Sequence, residues 1–332
     1  MVAIASAKER WAVLALFGGA TGIGFAPICV RLSETGPAAT AFFRLLLALP
    51  FIWAWMAVAA RGSKVAQPRQ PRRTREFAGF VLAGLLFTAD LSIWHWSLRF
   101  TTVTNSTLLT NLAPLLVTGG AWLFLHERIT GQFLVGMILA TVGAGILVGN
   151  SYSVSSRHLL GDILSVLAMV FYAGYLVALK HLRRSFSTPV IMAWAGLVSC
   201  AGFGLVAWLS GDVMWPATAH GWLVLAALAL GSHLGGQTLI AYGFGHLPAS
   251  FSSVTLLWQP VVAAAAAWLL LGEPLHWRQG LGGAVVLLGI ALASGWRRGE
   301  GGKGKAASGG GKAESGKRKA ETGTGRGTRK PG

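Results

Sequence analysis

Four polar or charged side chains fall within long apolar runs of this 332-residue chain. Arg44 lies in FFRLLLALP and Asp90 in FTADLSIW, while His233 and Gln237 lie in GSHLGGQTL, four residues apart and therefore on one face of a helix. Charged groups in lipid-spanning helices are costly, so they face a bundle interior or a water-filled cavity. These residue types indicate a site that binds a small polar ligand inside a helical bundle.

Arg44 and Asp90 each admit two interpretations. If they lie on neighbouring helices they can pair, which lowers the cost of burying both charges. Otherwise Arg44 contacts a substrate anion directly, and Asp90 binds a cationic group or takes up a proton. His233 also has two interpretations, because the three glycines of GSHLGGQTL let helices pack closely or unwind locally.

Two prolines fall inside later apolar runs, each close to an amide side chain. Asn111 precedes Pro114 by three residues, and Gln259 immediately precedes Pro260. Because proline lacks a backbone N–H, it loosens the helix around it. We therefore expect Asn111 and Gln259 to line a substrate cavity, with Pro114 and Pro260 as structural or gating positions.

Two tryptophans and two glutamates complete the candidate residues. Trp94 and Trp258 lie beside polar residues within apolar runs, where they either line the cavity or pack in the bundle. Glu127 and Glu273 fall at predicted helix ends on opposite membrane faces. That position indicates gating or end-capping contacts more than ligand binding.

The composition indicates a polytopic membrane protein. Hydrophobic residues make up 53% of the chain and charged residues only 12%, and about 20 apolar residues suffice for a helix to cross the hydrocarbon. Cys29 and Cys200 fall inside apolar runs with no metal-ligand spacing, so neither a disulfide nor a metal site is expected. We predict ten transmembrane helices: 11–30, 38–60, 77–98, 103–125, 131–149, 161–179, 189–209, 220–243, 249–271 and 278–296.

The net charge of +17 does not indicate a specific nucleic-acid partner, because 11 of the 28 Lys and Arg residues follow Ser294. The tail, 297–332, contains no aromatic residue and is too polar to form a core. We therefore predict a disordered, basic cytoplasmic segment. Contact with anionic lipid or RNA is its functional alternative.

The apolar pattern occurs twice. At one constant offset of 146 residues the two copies share proline, tryptophan and glutamate: Pro114 and Pro260, Trp122 and Trp268, Glu127 and Glu273. Five spans fall in each copy, and an odd number means that the second copy enters the membrane from the opposite side. The predicted organisation is an all-α fold of two inverted five-helix repeats: N-terminus 1–10, first repeat 11–149, second repeat 161–296 and tail 297–332.

Three sequence features together suggest a family. They are the Pro, Glu and Gly shared by the fourth and fifth helices of both halves, Phe43-Arg44 followed by LLLALP, and WSLRFTTVTNSTLLTNLAP leading into the fourth helix. This pattern resembles the drug/metabolite transporter superfamily, EamA type. The second half has no arginine opposite Arg44, so any function of Arg44 belongs to one half alone.

The resemblance implies a central cavity between the halves and alternating access. It also implies secondary active transport, with export as the expected direction, of a small metabolite such as an amino acid, a cofactor or an amphiphilic compound. The lipid bilayer of the plasma (inner) membrane is the expected location.

An integral membrane enzyme acting on a lipid or lipid-linked substrate is the alternative class. Such an enzyme would need clustered carboxylates for a metal, an H-E-x-x-H helix or a Ser/His constellation, and the sequence contains none of these. We therefore predict a transporter that is not an enzyme and needs no cofactor. Protons are the candidate coupling ion, and the sequence leaves monomer and homodimer open.

Loop charge predicts the orientation, because Lys and Arg accumulate in cytoplasmic loops. With the N-terminus inside, four Lys or Arg residues lie outside: Arg31, Arg99, Arg157 and Arg278. Twelve lie inside: Lys8, Arg10, Arg61, Lys64, Arg69, Arg72, Arg73, Arg75, Arg128, Lys180, Arg183 and Arg184. Both termini are thus predicted to be cytoplasmic.

Cysteine-accessibility labelling tests this topology. Cysteines placed at Arg69 and in the tail should react only from the cytoplasm, and those at Arg157 and Asp212 only from outside, because the loop charges fix the insertion of every span. If the two chain ends label from opposite sides, the number of spans is wrong and the inverted repeat is wrong with it.

Overall fold

The computed structural model describes residues 7–62, 69–97, 99–101, 103–148, 159–272 and 277–294, and these are almost entirely helical. Ten helical units follow one another. The first half comprises α1 (Ala7–Leu32), α2 (Pro37–Gly62), α3 (Thr74–Ser97), α4 (Val103–Thr110 and Ala113–Leu125) and α5 (Gly131–Val148). The second comprises α6 (Leu159–Leu182), α7 (Thr188–Ser210), α8 (Ala219–His246), α9 (Ala249–Thr255 and Trp258–Leu271) and α10 (Trp277–Ser294).

Eight of these helices are long and apolar enough to cross a membrane, and two apolar helices, Ala113–Leu125 and Gly131–Leu147, are shorter. The predicted all-α fold with ten helices is therefore confirmed. The helix α1 begins at Ala7, four residues before its predicted start, so Lys8, Glu9 and Arg10 form its first turn. The predicted tail, 297–332, lies outside the described residues, and so do residues 1–6 of the predicted N-terminal segment.

Three of the ten units are interrupted. The helix α1 breaks at Phe25, two residues before Pro27, and α4 breaks at Asn111 and Leu112, just before Pro114. The helix α9 breaks at Leu256 and Leu257, just before Pro260. A proline in the first turn of the resumed helix costs no hydrogen bond, because those N–H groups have no helical partner. The breaks in α4 and α9 occupy equivalent positions in the two halves.

The middle of α8 is wound differently from the rest. Residues Leu228–Gln237 form a π-helix, a conformation that usually spans a single turn and often marks a functional site. A Cβ atom added to Gly19 of α1 would lie 2.7 Å from the Gly236 carbonyl oxygen. The glycines of α8 thus allow both the close packing and the altered winding that the sequence suggested.

Helices α5 and α10 cross through four glycines, and this crossing has the symmetry of the repeat. A Cβ atom on Gly136 would lie 2.7 Å from the Gly289 carbonyl oxygen, and one on Gly143 would lie 2.9 Å from that of Gly282. The 146-residue offset maps Gly136 onto Gly282 and Gly143 onto Gly289. It therefore exchanges the two contacts, as a pseudo-two-fold axis between the halves requires.

The larger packing pattern follows the same exchange. The helix α3 packs against α6, and its counterpart α8 packs against α1, while α2 packs against its own counterpart α7. Each half therefore places its second and third helices on helices of the other half. The interior of the bundle is built from both repeats.

Gly136→Ala tests the crossing of α5 and α10. The new methyl group would meet backbone atoms of α10, and overpacking of this kind typically costs about 1–3 kcal/mol, so the melting temperature of the purified protein should fall. Gly119→Ala is the matched control, because nothing lies within 4 Å of a Cβ atom there. Alanine favours helix over glycine by about 1 kcal/mol, so this control should be neutral or stabilising. Equal destabilisation by both substitutions would contradict the close glycine crossing of α5 and α10.

Candidate functional site

Two tyrosines of α6 lie at the centre of a buried polar cluster. The Gln237 side chain donates from Nε2 to the Tyr175 hydroxyl at 2.8 Å. The rings of Tyr172 and Tyr175 lie 6.5 Å apart and nearly parallel, and Phe87 packs 4.9 Å from Tyr175 and 6.3 Å from the His233 ring. The structure thus brings His233 and Gln237 together with aromatic side chains of α3 and α6.

Arg44 and Asp90 approach this tyrosine pair from different helices. Arg44 is only 8% exposed and Asp90 only 7%. Both charges lie within electrostatic range of Tyr172 and Tyr175, and Arg44 is also within range of His233. Among the described residues, no carboxylate lies within ion-pair distance of Arg44.

The ion pair that the sequence suggested between Arg44 and Asp90 is therefore not formed in this structure. Its absence follows from the packing, because α2 packs mainly on α7 and α8, and α3 on α6 and α7. The helices α2 and α3 make only a few contacts with each other, because each packs mainly on helices of the other half. Tyr172 and Tyr175 of α6 lie within electrostatic range of both charges instead.

Several buried polar atoms of the cluster and of the helix breaks lack a hydrogen-bond partner in the described part of the chain. They are Arg44 Nε, Asn111 Nδ2, Ser232 Oγ, Gln259 Nε2 and both ring nitrogens of His233. Buried polar groups in folded proteins nearly always have a partner, and each one left without costs about 1–3 kcal/mol. A bound polar molecule or water can supply the missing partners.

The two candidate tryptophans differ in their surroundings. Trp258 donates from Nε1 to the Thr21 hydroxyl at 3.0 Å and packs 6.0 Å from Phe17, so it joins α9 to α1. Its neighbour Gln259 reaches the Tyr172 side chain. Trp94 packs against His95, its neighbour on α3, and is half-buried.

The helix ends form two faces. We call the one with the loops that contain Glu34 and Asp212 the Glu34 face, and the opposite one the Glu127 face. Glu127 accepts hydrogen bonds from the backbone N–H groups of Ala249 (2.6 Å) and Ser250 (3.1 Å) and from the Ser250 hydroxyl (2.7 Å). It thus caps the N-terminus of α9, so a residue of the first half binds a helix of the second. Glu273 lies outside the described residues.

The two prolines sit at the equivalent helix breaks. Pro114 is buried and Pro260 is half-buried, so neither faces lipid fully. Sequence reasoning did not single out Tyr172, Tyr175 or Thr21. The spacing of the tyrosines, three residues apart in the apolar run FYAGYLVAL, places both on one helix face and was the available signal.

Apolar helices in two inverted halves around a buried polar cluster define a polytopic membrane protein, and the cluster is its candidate ligand site. The sequence model of the EamA-like transporter family matches residues 10–149 and 159–295. The chain belongs to this family, which confirms the resemblance suggested by its sequence.

Related proteins carry transporter names. The chain is 26% identical over 232 residues to a riboflavin transporter of Vibrio cholerae, which covers 69% of this chain and 75% of that protein. It is 24% identical over 273 residues to an uncharacterised transporter of Archaeoglobus fulgidus, and this match covers 80% of this chain and 91% of that protein. A protein of known crystal structure superposes with a TM-score of 0.72 at 19% identity, over 86% of this chain and 97% of that chain, and shows the same fold. The protein is thus a multi-pass membrane transporter of a small molecule.

Proposed function

We propose that this protein is a secondary active transporter that exports a small polar metabolite by alternating access. The observation that supports this most directly is the buried cluster of unpartnered polar atoms between the two halves. The site combines one buried guanidinium, one buried carboxylate, amides, an imidazole and phenols, which offer a small molecule charges and hydrogen-bond partners, and we propose that it binds this molecule without an enzymatic reaction. Loop charge supports an orientation with both termini cytoplasmic, and we propose the plasma membrane as the location.

Arg44 is the proposed anchor of the substrate. An uncompensated buried cation is costly, and a carboxylate or phosphate of the substrate would offset that cost through charge-assisted hydrogen bonds. The donors Asn111 and Gln259 lie at the breaks of α4 and α9, where a small change in winding would move them. The walls of the proposed substrate site would be completed by His233, Gln237, Trp94 and Trp258.

Two relatives, from Vibrio cholerae and Brucella anthropi, are named riboflavin transporters. Riboflavin, an uncharged flavin, is therefore a compound to include among the candidate substrates. The unpaired guanidinium favours substrates that carry an acidic group.

Arg44→Gln tests the anchor. In proteoliposomes loaded with a metabolite pool that includes riboflavin and organic acids, the parent protein should release a defined compound. Loss of a charged hydrogen bond of about 1.5–3 kcal/mol should weaken its apparent affinity about 10- to 100-fold. Arg61→Gln, the same change at the exposed end of the same helix, is the control and should keep parental affinity. If Arg44→Gln keeps the parental affinity, Arg44 does not bind the substrate.

Asp90 is the proposed proton carrier. It is the acidic residue buried beside the tyrosine pair, and no ion pair to Arg44 holds it permanently ionised. A carboxylate at this depth is strongly disfavoured unless it is paired or neutralised. Uptake of one proton per cycle would therefore couple transport to a pH gradient.

Asp90→Asn keeps the size of the side chain but cannot bind or release a proton. It should still exchange substrate across the membrane, while accumulation driven by a pH gradient should fall to the level seen without a gradient. Asp162→Asn, at the first turn of α6, should keep both activities and serves as the control. If Asp90→Asn accumulates substrate like the parent and with the same pH dependence, Asp90 does not couple transport to protons.

A further inference from the structure

Two carboxylates on the Glu34 face link the halves in a reciprocal way. Glu34, between α1 and α2, accepts hydrogen bonds from the N–H groups of Ala217 (2.8 Å) and Thr218 (3.0 Å) and from the Thr218 hydroxyl, just before α8. Asp212, after α7, accepts from the N–H groups of Ala38 (2.8 Å) and Ala39 (3.1 Å) in the first turn of α2. Asp212 thus caps α2, and Glu34 binds Thr218, the N-cap residue of α8, together with the residue before it. Each half therefore holds the start of a helix of the other half, and we call these two contacts the carboxylate caps.

The Asp212 cap satisfies N–H groups that α2 cannot satisfy itself. The first N–H groups of a helix have no partner within it, and the positive end of the helix dipole attracts a carboxylate. Gly36 makes the close approach sterically feasible, because a Cβ atom there would collide with the Asp212 carboxylate. The backbone N–H of Gly36 also donates to the Val213 carbonyl at 3.0 Å. The two loops therefore meet in a built contact between the halves.

A small pocket adjoins this contact on the Glu34 face. It lies between α2, α3 and α7, and its walls include Ala38, Ser92, His95 and Asp212. His95 lies within electrostatic range of both Asp212 and Arg44. Asp212 thus lies at one end of the pocket, and His95 in its wall interacts electrostatically with Arg44, the proposed substrate anchor.

We propose that Glu34 and Asp212 are gate residues, two reciprocal caps that close the Glu34 face and release when the halves rock apart. Each carboxylate depends on only two or three hydrogen bonds at a helix start, so the two caps hold the face closed without locking it. Their release frees the first turn of α2 and the start of α8 together, because each carboxylate belongs to the opposite half. The pocket then opens past His95 to the buried cluster.

The chain contains a matched control for this arrangement. Glu76 also accepts hydrogen bonds from backbone N–H groups, those of Arg72 (2.8 Å) and Arg73 (3.4 Å). Both partners belong to its own half. The same substitution at Glu76 therefore removes a carboxylate cap without removing a link between the halves.

The test measures how fast a membrane-impermeant thiol reagent reaches the pocket in protein held in nanodiscs, where both faces are accessible. Ser92→Cys serves as the reporter after Cys29→Ser and Cys200→Ser. Glu34→Ala combined with Asp212→Ala should raise the labelling rate about 10- to 25-fold, the product of the two single effects, because both contacts that hold the Glu34 face closed are lost. Glu76→Ala should leave the rate unchanged.

The single substitutions Glu34→Ala and Asp212→Ala are measured alongside, and each should raise the rate about threefold to fivefold. If the double variant does not elute as a folded species on gel filtration, the labelling rates of the two single variants test the gate in its place. Unchanged labelling in folded variants, or an equal rise in Glu76→Ala, would overturn the proposed gate. Because labelling needs no transported substrate, this result is independent of whether the proposed transport activity is correct.

Discussion

A bilayer offers a buried polar group no partner except the protein itself. This constraint explains where the structure departs from ten regular helices. The chain is interrupted in α4 and α9 just before a proline, and the ends of α2 and α9 are capped by carboxylates from the opposite half. Some polar groups that still lack a partner in the described part of the chain, among them Arg44 Nε and the ring nitrogens of His233, lie in the interior near Tyr172 and Tyr175. The places where the constraint is not met by the protein alone are the places where a substrate would bind.

Two kinds of contact join the halves, and they differ in how easily they separate. The glycine crossing of α5 and α10 brings backbones together over two contacts related by the repeat, and it has no side chain that could swing away. The carboxylate caps at Glu34, Asp212 and Glu127 each depend on two or three hydrogen bonds at a helix end. A rocking motion about the first kind of contact would break and remake the second kind.

The sequence predicts the fold well because the fold depends on local patterns. Apolar length gives the ten helices, and the register of Pro114 with Pro260 gives the inverted repeat. Contacts between distant residues were less predictable. Ala217, which donates a hydrogen bond to Glu34, lies 183 residues away in the chain, and no local sequence pattern predicts this contact. A pair between Arg44 and Asp90 was one of two alternatives from the sequence because their helices are consecutive, but each of these helices packs mainly on helices of the other half.

Electron–electron distance measurements between spin labels on the two faces test the central claim, that the two halves rock about a buried polar site. One label pair, at Leu32 and His220, spans the halves on the Glu34 face, and a second, at Arg128 and His181, spans them on the Glu127 face; all four side chains are exposed. When a transported compound is added or the pH is changed, one distance should lengthen while the other shortens. Two distances that stay fixed, or that lengthen together, would contradict alternating access by these halves.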